Sequence, residues 1–278
     1  MVLNSYAKIN LTLRINKKFK KGLHNLQSIY CLVNVNDRII IKKINKKKDK
    51  ISFSGPFSKF VSPSNNSVLK VLKSMRNNKL IYDFYSIKIH KKIPVFAGFG
   101  GGSSNASIVM KYLIKKKIKE KLLNKIINYV GSDLRLFIYN QGFLKNINEV
   151  EKLKKKQTLF FLLVYPKIKC STSEVFSKVK QFSKKQFLLQ NNFKYKNKFI
   201  NKIKNSQNDL QSIVEKKHPI IRDILTNISQ LKGCYFSRMT GSGSTCYGLF
   251  NNKKSTKVAL KIIRNKYPKF WSSVAKTI

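Results

Sequence analysis

Acidic residues are the rarest chemistry in this sequence: 278 residues contain 11 Asp and Glu against 58 Lys and Arg, a formal charge of +47. Any carboxylate catalyst is therefore one of Asp37, Asp49, Asp83, Glu120, Asp133, Glu149, Glu151, Glu174, Asp209, Glu215 or Asp223. Histidine and cysteine are sparse too. His24, His90 and His218 form no ligand spacing, and Cys31, Cys170, Cys234 and Cys246 make no CxxC pair. Both facts argue against a zinc site and a disulfide framework. No apolar run approaches the ~20 residues that a membrane-spanning helix needs. The opening stretch MVLNSYAKINLTLRI has neither the apolar core nor the small-residue cleavage site of a leader. These absences predict a cytoplasmic protein with no membrane partner and no targeting segment.

What is abundant is lysine. A charge of this size invites a nucleic-acid-binding reading, in which basic side chains neutralise phosphates and release counterions. The runs KINKKKDK, KKKIKEK and EKLKKKQ are scattered, however, and the chain is equally rich in Asn, Ile, Phe and Tyr, all residues that AT-rich codons encode. A solvated lysine-rich surface with no specific nucleic acid is the expectation. With 42% apolar residues the chain has enough mass for a core, as one large domain or two smaller ones.

Periodicity supplies the elements. Ala7, Ile9, Leu11, Leu13 and Ile15 alternate with Lys8, Asn10, Thr12 and Arg14, which predicts one strand whose polar face is either ordinary half-exposed surface or a place where Lys8 and Asn10 act together. A loop with Gly22 and His24 precedes two predicted strands, 26–35 and 37–44. Ser64, Asn65 and Asn66 offer caps for a helix bearing Val68, Leu69, Val71, Leu72 and Met75. A further amphipathic helix runs through Leu122, Ile126 and Val130 and stops at Gly131. Asn146 to Gln157 reads as the crossing between two halves, followed by a buried strand in 158–166. Ser171 and Glu174 form a capping box, helical stretches start near Asn208 and at Pro219, and strands at 235–239 and 245–250 are joined by TGSGS. A helix near 255–267 and a terminal strand complete the pattern. The mixture lacks a strict βαβ rhythm, which predicts α+β with domains at 1–150 and 151–278.

Four of the twelve glycines crowd into PVFAGFGGGSSN, residues 94–105. A strand carrying Tyr85, Ile87 and Ile89 precedes this loop, and a helical pattern of Ala106, Val109, Met110 and Leu113 follows it. Glycine lets successive N–H groups turn toward an anion, and a helix N-terminus adds orphan donors and a favourable dipole. Phosphate is the expected guest. The loop is not a Walker A motif, because no Gly-Lys-Ser/Thr closes it. Just beyond the next helix, Asp133 either caps a short helix or acts as a general base near the loop.

In order, AKINLTLRI (7–15), GLH (22–24), NNSV (65–68), GFGGGSSNAS (98–107), GSD (131–133), NDL (208–210) and MTGSGSTCYGLF (239–250) resemble the GHMP small-molecule kinases over nearly the whole chain. The triple glycine before SSNA points to the branch whose acceptor is 4-diphosphocytidyl-2-C-methyl-D-erythritol. The resemblance implies a two-lobed fold, with an N-terminal lobe like ribosomal protein S5 and a C-terminal ferredoxin-like lobe. It further implies ATP as co-substrate with Mg²⁺, in a monomer or a homodimer. Asp133 matches the base that deprotonates the substrate hydroxyl, and Lys8 the lysine beside it. Pro94, Gly98, Gly100, Gly101, Gly102, Ser103 and Ser104 match the phosphate cradle, with Ser104 a possible Mg²⁺ contact, and Asn66 matches the adenine contact. Asn10, His24, Thr172, Phe176, Gly241, Ser242 and Gly243 match the acceptor side, where His24 and Phe176 grip cytosine. Three positions depart from the pattern: Leu23 stands where an aromatic stacks on cytosine, Arg135 where proline is usual, and Phe99 where leucine is usual. The alternatives are a GHMP kinase acting on mevalonate, homoserine or a sugar, and a basic nucleic-acid-binding protein on a kinase fold.

Overall fold

The structure, a computed structural model, describes residues 2–19, 23–114, 118–185 and 195–278. In chain order the elements are β1 (Val2–Asn10), β2 (Arg14–Lys18), β3 (His24–Ile44), β4 (Lys50–Ser54), α1 (Ser67–Asn77), β5 (Phe84–His90), α2 (Gly101–Leu113) and α3 (Glu120–Val130). There follow β6 (Gln141–Asn146), β7 (Glu149–Lys152), β8 (Phe160–Tyr165), α4 (Thr172–Ser177), α5 (Lys196–Lys204), α6 (Gln211–Lys217), α7 (Ile220–Ser229), β9 (Cys234–Met239), β10 (Cys246–Phe250), α8 (Lys253–Lys266) and β11 (Trp271–Lys276). A 3-10 turn, Ser132–Phe137, follows α3. The chain forms two compact units that are not separated by a single cut. The first comprises Met1–Lys8, Val35–Val95 and Gly100–Ile138; the second comprises Ile9–Asn34, Phe96–Phe99 and Tyr139–Ile278.

In the first unit β5 pairs antiparallel with the second half of β3 and parallel with β4. Helices α1, α2 and α3 pack together, and their apolar faces meet Ile39, Ile41, Ile87 and Ile89 of the sheet in one core. Asn66 starts α1 as the sequence predicts, its Oδ1 accepting from the N–H of Val68 and Leu69 at 3.0 Å each. Gly131 ends α3 at φ 146°. Asp49 pairs with Arg76, and Asp83 with Lys43.

The second unit contains a four-stranded antiparallel sheet in the order β11-β8-β10-β9. Helices α7 and α8 pack on it, and Leu162, Val164, Ile224, Ile228, Phe250 and Ile263 share its core. The run β8, helices, β9, β10, α8, β11 with that strand order is the ferredoxin-like arrangement the resemblance implies. In the same unit the first half of β3 pairs with β2 and β6, and β6 with β7.

Three expectations are corrected. The strand predicted over 7–15 is two strands: the N–H groups of Leu11 and Thr12 both donate to Ile29 O, after which Leu13 N–H donates to Gln207 O. Two donors sharing one acceptor is the signature of a bulge, and it ends the first pairing. Nor is its polar face half exposed, for Lys8, Asn10 and Thr12 are all buried. The predicted strands at 26–35 and 37–44 are one: β3 runs on through Asn36, and Asp37 beyond it is buried with its carboxylate bonded inward. The supposed crossing at Asn146–Gln157 contains β7, which turns back onto β6.

Asp37 anchors the first unit. Its carboxylate forms an ion pair with buried Lys91 and accepts from the N–H groups of Lys92 (2.8 Å) and Ile93 (2.9 Å) and from Asn105 Nδ2 (3.0 Å). Asp37→Ala leaves the Lys91 ammonium buried without its partner, and an expected loss of about 3–5 kcal/mol follows. Urea unfolding measures it, and a loss below about 1 kcal/mol would refute the anchoring role.

Candidate active site

In the first unit, the loop leaving β5 reaches α2 through Gly100, which lies in the left-handed region at φ 66°. Glycine suits this place, since any other residue is strained at this φ and a Cβ would lie 3.0 Å from Phe137 Cζ and 3.3 Å from Lys8 Cε. The same contacts show that the Lys8 stem and the aromatic ring of the 3-10 turn both border the start of α2. Helix geometry leaves the N–H groups of Gly101, Gly102 and Ser103 without intrahelical partners, so they form a ready anion cradle. Ser104 differs from them. Its N–H already donates to Gly100 O at 2.9 Å. Its hydroxyl, 1% exposed, donates to Tyr6 O and accepts from Ser5 Oγ, both at 2.7 Å. Ser104 is thus a brace inside the unit, and neither its amide nor its hydroxyl is available as the resemblance implies. Pro94 is buried just before the loop.

Lys8 is 4% exposed, and burial pulls its pKa below the ordinary lysine value while the charge of Asp133 opposes that shift. The two residues matched to catalysis therefore interact electrostatically in this unit, one ammonium shielded and one carboxylate exposed. Asp133 caps nothing with its side chain; it sits in the first turn of Ser132–Phe137. That turn is held at its far end by Lys111 of α2, whose Nζ donates to Phe137 O at 2.6 Å and Ile138 O at 3.2 Å. Arg135, the proline substitute, is buried and donates to Asn124 Oδ1 of α3 at 2.9 Å. Asn66 is nearby in sequence to α1 only: besides capping it, its Nδ2 donates to Ser62 O and Pro63 O. All of this side chain's bonding capacity serves the local fold.

In the second unit the TGSGS turn links β9 to β10, with positive φ at Gly241 and Gly243. Gly98 abuts it so closely that a Cβ would collide with Thr240 O and lie 3.1 Å from Gly243 O. Asn10 N–H donates to Thr240 Oγ1 at 2.9 Å, and its Nδ2 to Ser28 Oγ at 2.7 Å. Thr172 and Ser242 share a hydrogen bond of 3.1 Å. His24 and Phe176 meet with ring centroids 5.3 Å apart and planes tilted by 42°. His24 Nε2 is buried without a hydrogen-bond partner, an orphan that a ligand polar group would satisfy. Burial and the charge of Lys18 lower the His24 pKa, so the ring is neutral at pH 7. Leu23 is 56% exposed, and Gly22 of the GLH motif lies outside the described residues. Phe99 is buried edge-on to Trp271.

Two groups of site-bordering residues escape sequence reasoning. Asn208 holds the TGSGS turn, its Nδ2 donating to Met239 O and Gly241 O at 2.8 Å each. The NDL motif marks its position but not its task. Lys91 and Asn105 extend the Asp37 anchor into the start of α2, and a Cβ on Gly101 would come within 3.4 Å of Lys91 Nζ. Asp37 stood on the short list of acids; nothing local marked it as buried.

Comparison with known proteins adds three findings. The family model described as GHMP kinases C terminal matches residues 185–269. The sequence is 37% identical over 281 residues to the 4-diphosphocytidyl-2-C-methyl-D-erythritol kinase of Pelagibacter ubique, covering 99% of this chain and 98% of that protein. It is 32% identical to the kinase of the same name from Wolbachia sp. subsp. Brugia malayi, covering 98% and 96%. Among solved structures, a 4-(cytidine 5'-diphospho)-2C-methyl-D-erythritol kinase superposes with TM-score 0.74 at 19% identity over 99% of both chains. Homoserine kinase from Cytophaga hutchinsonii superposes with TM-score 0.70 at 15% identity, over 100% of this chain and 94% of that one, so the fold is shared across acceptors. Full-length identity above 30%, a matching C-terminal family model and a shared fold agree: this chain belongs to the 4-diphosphocytidyl-2-C-methyl-D-erythritol kinase family of the GHMP kinases.

Proposed function

We propose that this chain transfers the γ-phosphoryl group of ATP to the 2-hydroxyl of 4-diphosphocytidyl-2-C-methyl-D-erythritol, a step toward isoprenoid precursors by the non-mevalonate route. The observation that carries the reading is the buried Lys8 ammonium acting on Asp133 and bordering Gly100 at the head of the phosphate helix. Asp133 takes the proton of the hydroxyl as its oxygen bonds to the γ-phosphorus, while the bond from that phosphorus to the β–γ bridging oxygen breaks and ADP leaves. Lys8 offsets charge on the attacking oxygen. Catalysis is otherwise positioning and neutralisation. The N–H groups of Gly101, Gly102 and Ser103 hold the ATP phosphates, with Pro94 and Gly98 shaping the loop. Asn10, His24, Thr172, Phe176 and the Gly241–Gly243 turn bind the acceptor, and the unpaired His24 Nε2 meets a polar edge of cytosine.

Mg²⁺ does not fit Ser104, whose hydroxyl is buried and bonded on both sides. Among the described residues no cluster of three His, Cys, Asp or Glu offers a metal site. We therefore assign Mg²⁺ to the phosphates of ATP. Adenine contact by Asn66 uses its backbone or its surroundings, since the side chain is engaged in capping. No described helix is long and apolar enough to cross a membrane. An ATP-dependent reaction and four unpaired thiols favour the cytoplasm.

Turnover of the cytidyl-methylerythritol acceptor, tested beside mevalonate, homoserine and sugars with labelled ATP, decides the substrate; phosphorylation of another acceptor in its place overturns the reading. Asp133→Asn is expected to lower kcat about 10²–10⁴-fold with ATP binding retained. Near-normal kcat removes Asp133 as the base. Gly100→Ala forces a side chain into the left-handed region and is expected to destabilise by about 1–2 kcal/mol. Its KM for ATP should rise as well, and unchanged nucleotide titration would place the cradle elsewhere. Because burial lowers the Lys8 pKa, the rate is expected to fall on the alkaline side before lysine's ordinary 10.5. A pH–rate profile flat up to that value contradicts a role for the ammonium.

A further inference from the structure

The turn Ser132–Phe137 carries Asp133, yet its backbone is an unusual support for a base. Six residues is long for a 3-10 helix, whose runs seldom pass three or four because its hydrogen bonds are poorly aligned. The entrance lends it no packing: Gly131 stands at φ 146°, and nothing lies within 4 Å of where a Cβ on it would be. Further along, Leu134, Leu136 and Phe137 are buried. Apolar burial is non-directional, however, so it sets the depth of the turn and leaves its rotation to polar contacts.

Polar contacts from two helices supply that rotation. In the middle of the turn Arg135 donates to Asn124 Oδ1 of α3. At its end Lys111 of α2 donates to Phe137 O at 2.6 Å and to Ile138 O at 3.2 Å. The last carbonyls of a helix lack partners within it, and a lysine ammonium meets both the unfilled acceptors and the negative end of the dipole. Lys111 is an exposed residue, but its ammonium is drawn inward enough that burial lowers its pKa below the ordinary lysine value. No step of the reaction above uses it.

What Lys111 fixes lies close to the chemistry. One carbonyl it takes belongs to Phe137, whose Cζ stands 3.0 Å from where a Cβ on Gly100 would be, with Lys8 Cε 3.3 Å from the same point. Gly100 opens α2, and Lys111 sits in the last turn of that same helix. One helix thus presents the phosphate cradle at its start and grips the turn of Asp133 near its end. We infer that Lys111 is a positioning residue for Asp133, holding the turn in the rotation that keeps its carboxylate within the field of Lys8. This assignment rests on Asp133 being the base proposed above. The cradle N–H groups belong to α2 rather than to the turn, so loosening the turn misplaces the base and leaves nucleotide binding intact.

Lys111→Met keeps an unbranched stem and removes the donors, whereas Lys111→Arg restores them. Each is made in the wild-type chain and in Asp133→Asn, and assayed with ATP and the cytidyl acceptor where circular dichroism shows the protein folded. Lys111→Met is expected to lower kcat about 10- to 100-fold with both KM values within about twofold, since a small misplacement of a catalytic group acts on the rate. Lys111→Arg should recover to within about threefold of wild type. Lys111→Ala, with the best helix former at an exposed position, is the second variant and should match Lys111→Met. In the Asp133→Asn background the loss of Lys111 should cost less than about twofold more, because an absent base cannot be misplaced. Near-normal kcat in Lys111→Met and Lys111→Ala overturns the inference alone. Equal losses in the two backgrounds also overturn it, as they show a structural role only, and so does a rise in KM with kcat unchanged. Near-normal turnover by Asp133→Asn removes the base first and this inference with it.

Discussion

The first unit depends on one buried carboxylate. Asp37 lies in the middle of a long strand, yet it neutralises Lys91, receives two backbone N–H groups from the chain leaving β5, and reaches α2 through Asn105. Burying an ion pair is costly unless the remaining donors and acceptors are met. Here they are met by the backbone itself, so satisfying Asp37 and fixing the path into the phosphate loop are the same event. Ser5 and Ser104 continue the network to β1, the strand that carries Lys8. The charge pair is therefore a device of position, and the helix N-terminus inherits its aim from it.

The second unit solves a similar problem without charge. Its glycine turn is pinned by carboxamide and hydroxyl groups: Asn208 from one side, the Asn10 backbone from another, and Thr172 at Ser242. Neutral hydrogen bonds fix a turn without competing electrostatically for a charged ligand. Each unit thus presents glycines that are immobile for different reasons. The freedom glycine brings is used at both places: backbone at Thr240 leaves no room for a Cβ at Gly98, and Gly100 takes a left-handed conformation with side chains close by.

Much of this was legible in the sequence, for local reasons. The N-cap at Asn66, the stop at Gly131, the N-cap at Ser171 and the β9–β10 hairpin all follow from interactions within a few residues, which a sequence displays directly; the carboxylate of Glu174, expected to complete a capping box, pairs with Lys217 instead. The errors came where partners are far apart. The break between β1 and β2 is caused by Ile29 and Gln207, and the continuity of β3 through Asp37 by residues more than fifty positions away. Alternation in 7–15 correctly named one buried face, but only tertiary packing reveals that Lys8 and Asn10 are buried as well. The motif that located Ser104 could not show that its hydroxyl faces inward to Tyr6.

The commitment of the acids has a further consequence. Asp37, Asp49, Asp83, Glu149, Glu151, Glu174 and Glu215 are each engaged with a basic partner, and Asp209 accepts from Ile15 N–H. Carboxylates so occupied have little left with which to balance the rest of a +47 surface. The missing counter-charge has to come from the solution. Dissolved anions, drawn to within roughly 8 Å at physiological ionic strength, act as an unlinked part of the protein that keeps its own lysines from driving it apart. For such a chain, the medium completes what the amino-acid composition leaves unfinished.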